Sequence, residues 1–284
     1  MPRGRWAGDD QSRRGPGLHG DSRGPRNFWL WGILWGIWVG WIFSSVGAFG
    51  GIMAGVGHII VFGLADYAGT FQKSSPVMNK LLTDSIRTSN QYPVGLSALI
   101  SSITYYRMGR LVLPLGLCLA AGGILAGYLV PMLTTGKLNV QVYVGFFGLI
   151  VFAVAFVLFY ETTPKGQEKR QAAKAAAKAF EDAHLRKTLQ VSVEHAKGVH
   201  VSHWGLTRIS FTFYGQEFSF NPIYPVLGGF VINAISALLG VGGAFLYVPY
   251  LTSVAGLPRF IVAGTSALAV LVGMVTNIFN FMVV

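Results

Sequence analysis

Apolar residues dominate five stretches of the chain, 28–65, 111–133, 140–160, 222–254 and 260–284, and polar residues gather between them. Each stretch is long enough for at least one helical pass through a membrane, which takes ~20 apolar residues. The first, about 38 residues without Lys, Arg, Asp or Glu, is too long for one pass and leaves almost no loop for two. Gly47, Gly50, Gly51, Gly55 and Gly57 interrupt it. A broken or re-entrant second element over roughly 47–65 is therefore expected. Non-helical backbone at that depth is tolerated only where protein or a polar cavity satisfies it.

Residues 66–92 read as a polar connector carrying Lys73, Lys80 and Arg87. Residues 93–106 read as a short apolar segment ending at Tyr105-Tyr106-Arg107-Met108-Gly109-Arg110. In the run at 111–133, Gly122, Gly123 and Gly127 form a small-residue face suited to close helix packing. The substantial polar insert is 161–221. Its first part, 166–190, is rich in Ala, Lys and Glu and should be helical. Its second part alternates, as in Ile209-Ser210-Phe211-Thr212-Phe213, and Gly215-Gln216 before Phe218-Ser219-Phe220 reads as a hairpin. Residues 1–27, rich in Gly, Arg and Pro, should form a disordered basic tail.

The expected fold class is an all-α polytopic membrane protein. It has two related repeats with discontinuous or re-entrant helices, plus a small cytoplasmic α/β insert. The divisions are a tail at 1–27, a first transmembrane repeat at 28–160, the insert at 161–221 and a second repeat at 222–284. The second repeat has no counterpart to the last two spans of the first, so the chain reads as a truncated fragment.

The repeat rests on a two-part signature that occurs twice. One copy is Gly55-Val56-Gly57-His58 followed by Gly95-Leu96-Ser97-Ala98-Leu99. The other is Gly240-Val241-Gly242-Gly243 followed by Gly264-Thr265-Ser266-Ala267-Leu268. Duplicated, glycine-interrupted membrane segments point to a transporter's binding site.

Composition adds weight to the membrane reading: 52% of residues are hydrophobic and only 12% charged, about half the charged share of globular proteins. The net charge of +11 does not indicate nucleic acid, because the basic residues sit between apolar runs. They fall in the N-terminal tail, at Arg107 and Arg110, and across 165–197. Lys and Arg stay on the cytoplasmic side, which places Arg107, Arg110 and the insert together there, two spans apart. If 28–65 crosses twice, the tail is outside and the repeats are inverted; if its second part is re-entrant, the tail is inside. Both remain open. The expected location is a bacterial cytoplasmic (inner) membrane. Ser12-Arg13-Arg14 is a faint twin-arginine echo with no apolar region directly after it, so the tail reads as retained. The single cysteine, Cys118, lies in an apolar span and reads as a packing residue. His195, His200 and His203 have no cysteine or close carboxylate cluster beside them. They read as solvated loop residues, with no metal site and no cofactor.

The second copy, from Gly240-Val241-Gly242-Gly243 through Val248-Pro249 to Gly264-Thr265-Ser266, resembles the TauE/SafE family of sulfite and organosulfonate exporters. The first copy and the connector Tyr106-Arg107-Met108-Gly109-Arg110 resemble it more weakly. The likeness covers roughly 45–160 and 222–284. His58 stands opposite Gly243 and Leu64 opposite Pro249, and the insert at 161–221 is long for the family. The resemblance implies a permease for small sulfur oxyanions such as sulfite or sulfonates, coupled to a proton or sodium gradient. A homodimer is compatible with it.

Chemistry within the apolar runs is sparse. An oxyanion crossing hydrocarbon needs donors without a permanently buried salt bridge. Helix N-termini offer unpaired N–H groups, glycines let a ligand reach the backbone, and hydroxyls or amides complete the shell. The candidate substrate-binding residues are therefore Gly55, Gly57, His58, Ser97, Gly240, Gly242, Gly243, Thr265, Ser266 and Asn277. No Lys or Arg is expected deep in any span. The bland reading of each Gly and Ser is close packing between helices. His58, the one ionisable side chain expected well inside a span, is either a proton relay or ligand contact, or a neutral residue bonded to a neighbouring helix. Asn233 and Asn280 are read as helix-to-helix hydrogen bonders. Two rivals remain. One is a membrane sensor or scaffold acting through the insert. The other, a weaker one, is an intramembrane serine protease resembling rhomboids, since Gly95-Leu96-Ser97-Ala98 fits Gly-x-Ser-x. In the rhomboid order, however, histidine follows serine, and His58 precedes it. No enzymatic activity is expected.

Overall fold

The computed structural model describes residues 29–46, 50–164, 198–205, 207–213 and 216–283. The expected disordered tail, the expected helix at 166–190, and His184 and His195 lie outside the described residues. The architecture is mostly helical with one small sheet. Helix α1 spans Trp29–Val46. Helix α2, Gly50–Val56, passes directly into a π-helical turn, Gly57–Val61. Helices α3, Leu64–Ser74, and α4, Pro76–Arg107, follow, then α5, Leu113–Thr134, and α6, Val140–Thr162. After the sheet come α7, Ile223–Leu239, and α8, Ala244–Pro249, which runs into a second π-helical turn, Tyr250–Val254. The last helix is α9, Arg259–Val283.

Among the described residues, α5 and α9 are long and apolar enough to cross a membrane. The pair formed by α2 with its π turn and α3, bent by 56°, is a third candidate if counted as one span. The break expected near 47–65 is therefore present, at Phe62-Gly63, where Gly63 has a φ of +63°. Apolar stretches of α1, α6 and α7 are shorter.

The connector expected over 66–92 is instead helical, as α3 and the first half of α4. The reason lies in its spacing. Asn79, Thr83, Arg87, Asn90, Gln91 and Ser102 share one face of α4 and are buried, whereas Val77, Leu81, Leu96 and Ile100 on other faces are exposed. Helical period is present, but the polar side is inward, so a search for apolar stripes misses it. Pro93 sits inside α4. Arg87 of α4 has no exposed surface, so a cation lies inside the helical body, on a helix that is not among the candidate spans.

Helix α5 packs along α7 and α9, and α4 lies along α9. The α5–α7 contact is close because it is built on glycine: a Cβ on Gly122 would meet the Val226 and Phe230 backbone, and one on Gly229 the Leu119 backbone. One apolar core joins Val94, Leu115, Leu119, Ile232, Tyr247, Ile261, Val270 and Met274 to Phe211 and Phe213 of the sheet. A second joins Ile52, Ile59, Ile86, Tyr143, Phe147, Leu239 and Phe245.

The hairpin expected in the insert is present, and a further strand extends it. Strands β1, Val199–Trp204, β2, Ile209–Phe213, and β3, Gln216–Phe220, form an antiparallel sheet in that order. Ile209, Phe211 and Phe213 of β2 are buried. The Val199 N–H donates to the Gly109 carbonyl at 2.9 Å, so the sheet is anchored on the turn between α4 and α5.

Candidate functional site

Helix α7 stops at Gly240, whose φ of +68° only glycine adopts without strain. A helix end leaves carbonyls without intrahelical partners, and three side chains from other helices supply them here. Arg87 Nη2 donates to the Ala237 carbonyl at 3.0 Å. Tyr143 of α6 donates its hydroxyl to the Leu239 carbonyl at 3.0 Å. Asn90 Nδ2 donates to the Gly240 carbonyl at 2.8 Å. The Ser236 hydroxyl of α7 donates to the Val241 carbonyl just past the helix end. A guanidinium at a helix C-terminus also faces the negative end of the helix dipole. Arg87 is held further by Asp84 Oδ1 at 2.8 Å, by the Thr134 hydroxyl at 2.9 Å and by the Phe281 ring, 4.6 Å from its centroid. Asp84 Oδ2 in turn accepts from the Gly136 N–H at 2.7 Å.

Asn90 reaches in a second direction, donating also to the Gly51 carbonyl of α2 at 3.2 Å. One amide thus ties the first glycine segment to the second. The two segments are in direct contact there. A Cβ on Gly51 would stand 3.0 Å from Gly242 N, and one on Gly55 would stand 3.3 Å from Val241 Cγ1.

The local fold of the two segments also repeats, in a register different from the one read in the sequence. In each, a short helix passes into a five-residue π turn and ends at a left-handed glycine: Gly57–Val61 then Gly63, and Tyr250–Val254 then Gly256. Matching these places Gly50 opposite Gly243, so His58 does not stand where the second copy has Gly243. The reason is that Gly55 and Gly57 lie inside the helix and π turn, where they pack, rather than at the break. For the second part of the signature the sequence register stands: Gly95 approaches Met274, with Cβ–Cβ 3.4 Å for an added Cβ, and Gly264 approaches Tyr105. Tyr105 lies as far past Gly95 as Met274 lies past Gly264, so this is one contact made twice.

The candidate residues divide accordingly. Gly55 faces the Phe147 ring and Val241, and Gly57 faces the Trp35 indole. His58 is part-buried, with Nδ1 bonded to the Ala54 carbonyl at 2.9 Å and its ring edge-on to Phe62. Gly240 abuts the Arg87 backbone, Gly242 abuts Val94, and Gly243 lies against Ile232 and Tyr247. Ser97 is half-buried on α4. The Thr265 hydroxyl accepts from the Val112 N–H at 3.1 Å, where it receives the chain entering α5, and Ser266 donates to the Ala263 carbonyl at 3.1 Å. The structure therefore sets Gly240 and Gly242 against α4, Gly55 between α6 and Val241, and Thr265 beside the α4–α5 turn. His200 and His203 fall on β1.

Asn277 belongs to a second polar group. Asn233 Nδ2 donates to the Gly123 carbonyl at 2.5 Å and to Asn277 Oδ1 at 3.4 Å, and Asn280 Nδ2 donates to the Gly127 carbonyl at 3.3 Å. Gly127 and Gly273 leave the room these amides occupy. Sequence reasoning missed Arg87, Asn90 and Gln91, all fully buried. The available signal was the helical spacing of polar residues through 79–102. Chemically, the site combines a charge-balanced guanidinium, several amides and the helix break at Gly240 in the buried interior. Comparison of the chain with protein-family profiles, with curated proteins and with solved structures finds no match.

Proposed function

We propose that this chain is a polytopic membrane transporter for small anions, built from two inverted repeats and working by alternating access. The observation that carries the reading is the contact of the glycine-bearing helix α2 with the break at Gly240–Gly243, with Asn90 bonded to both. Broken helices meeting at a repeat interface are where secondary transporters hold substrate. The α4–α9 contacts support the inversion. Arg87 meets Phe281, Gly95 meets Met274 and Tyr105 meets Gly264, so matched segments run antiparallel. Equivalent helices in antiparallel contact are related by an axis perpendicular to them, which is the membrane plane for spanning helices.

The burial pattern of α4 supports the bilayer. Its buried face carries Asn79, Thr83, Arg87, Asn90, Gln91 and Ser102 beside Ile86, Val94 and Ala98, while Val77, Leu81, Leu96 and Ile100 look outward, an arrangement in keeping with lipid around the helices. The resemblance of Gly240 through Ser266 to TauE/SafE permeases directs the substrate proposal to sulfite, sulfonates and related sulfur oxyanions, with a proton or sodium ion as the coupling ion and a bacterial inner membrane as the location. The test is uptake and efflux of labelled sulfite, sulfoacetate and thiosulfate by proteoliposomes, with and without a proton gradient. Saturable flux of one of them is expected; no flux of any oxyanion overturns the proposal.

A second reading, a membrane sensor or scaffold acting through the insert, is favoured by one observation. The sheet is bonded to Gly109, so movement of α4 against α5 would be felt by the insert. That reading expects no flux and expects partner binding by the insert.

A further inference from the structure

Four side chains at the core of the site hold hydrogen-bonding atoms that the protein leaves unused. Gln91 has no exposed surface and neither its Oε1 nor its Nε2 has a partner. Arg87 Nε, Asn90 Oδ1 and Asn277 Nδ2 are likewise buried without partners. Buried polar groups are nearly always satisfied, so a cluster of exceptions calls for a cause. The cluster lies along the packed pair α4 and α9. Arg87, Asn90 and Gln91 are neighbours on the inward face of α4. On α9, Arg87 faces Phe281 and Gly95 faces Met274, a register that brackets Gln91 against the turn carrying Asn277. One turn further along α4, Val94 fills the space beside Gly51 and Gly242.

The orientation of most of these groups is fixed by bonds already described. Asn90 must aim its nitrogen at the Gly51 and Gly240 carbonyls. Asn277 Oδ1 is committed to Asn233, which turns its nitrogen away. The two terminal nitrogens of Arg87 are committed to Asp84, Thr134 and Ala237, which leaves Nε. The unused set therefore presents three donor nitrogens, on Arg87, Gln91 and Asn277, beside two amide oxygens, on Asn90 and Gln91, and the guanidinium charge is balanced beforehand by Asp84.

We infer that Gln91, Arg87 Nε and Asn277 Nδ2 form the ligand-contacting donors of this protein, for a small oxyanion with several acceptor oxygens on one centre. The inference rests on the transporter reading above and adds to it a set of residues outside the glycine signature. Dipolar donors beside a neutralised guanidinium suit a carrier. They replace hydration of the anion, yet they hold it less firmly than a free cation would, so it can leave on the other side. Gln91 is the centre because its amide nitrogen, fully buried, has no other partner.

Full-length protein in detergent and in proteoliposomes tests this, with sulfite as probe. Sulfite should raise the melting temperature of the wild type, because a ligand that binds only the folded state stabilises it. Gln91→Leu should melt higher than wild type without sulfite, since it removes an unsatisfied buried amide. It should lose the sulfite-dependent shift and raise KM for sulfite flux by about tenfold or more, the scale of a lost hydrogen bond to a charged ligand. Asn277→Ala and Gln91→Glu are the second and third variants in case Gln91→Leu does not fold; both should lose the shift. A sulfite shift and a KM equal to wild type in these variants overturn the site while leaving the transporter reading intact. A wild type with neither flux nor a sulfite shift overturns both.

Discussion

Asn90 is the residue on which the contact between the two glycine segments depends. Asn90→Leu would remove the amide that donates to the Gly51 and Gly240 carbonyls, and would leave the Gly240 carbonyl without that bond at the helix end. A lost buried hydrogen bond of this kind costs about 1–3 kcal/mol, so the variant should melt well below wild type in a thermal denaturation series. Gly240 is the second sensitive point. Gly240 and Gly63 both have positive φ, but an added Cβ at Gly63 meets open space, whereas one at Gly240 runs into the Arg87 backbone. Gly63→Ala should cost about 1–2 kcal/mol, the left-handed strain alone. Gly240→Ala should cost more than that, measured side by side. The importance of Gly240 and Gly242 was legible in the sequence because glycine is conspicuous within an apolar run. Arg87, Asn90 and Gln91 were not, because a charged and two amide residues in a stretch with Lys73 and Lys80 look solvated. Only their spacing on a helix, together with neighbours on all sides, reveals them as interior.

At the scale of elements, close helix packing depends on where glycines fall. Gly122 of α5 and Gly229 of α7 let two backbones meet. Gly122→Ala would push the Val226 carbonyl aside and separate α5 from α7. Overpacking typically costs about 1–3 kcal/mol, so the variant should be destabilised. Gly145 on α6 has nothing near its missing Cβ, and Gly145→Ala should be neutral or gain up to about 1 kcal/mol from helix propensity. The pair of variants separates packing glycines from incidental ones by thermal denaturation. The sequence made the breaks legible and the hairpin too, since Ile209 to Phe213 alternates cleanly. It misread 66–92 because the buried face of α4 is largely polar there, with Asn79, Thr83, Arg87, Asn90 and Gln91. It misaligned the first half of the repeat because Gly55-Val56-Gly57 imitates Gly240-Val241-Gly242, whereas the shared backbone feature, a π turn closed by a left-handed glycine, has no fixed residue signature.

For the molecule as a whole, α4 and α9, one from each of the two proposed halves, pack together, and the sheet is fastened to the turn at Gly109. In the proposed mechanism the interior polar residues take up a dehydrated anion between the halves, and rocking of one half against the other exposes it to each side in turn. The measurement that tests this most directly is counterflow: proteoliposomes loaded with unlabelled sulfite and diluted into a trace of labelled sulfite. A carrier exchanging one ligand at a time predicts a transient accumulation of label inside above its equilibrium level, with no ion gradient supplied. Label that enters no faster than in protein-free vesicles would contradict the account.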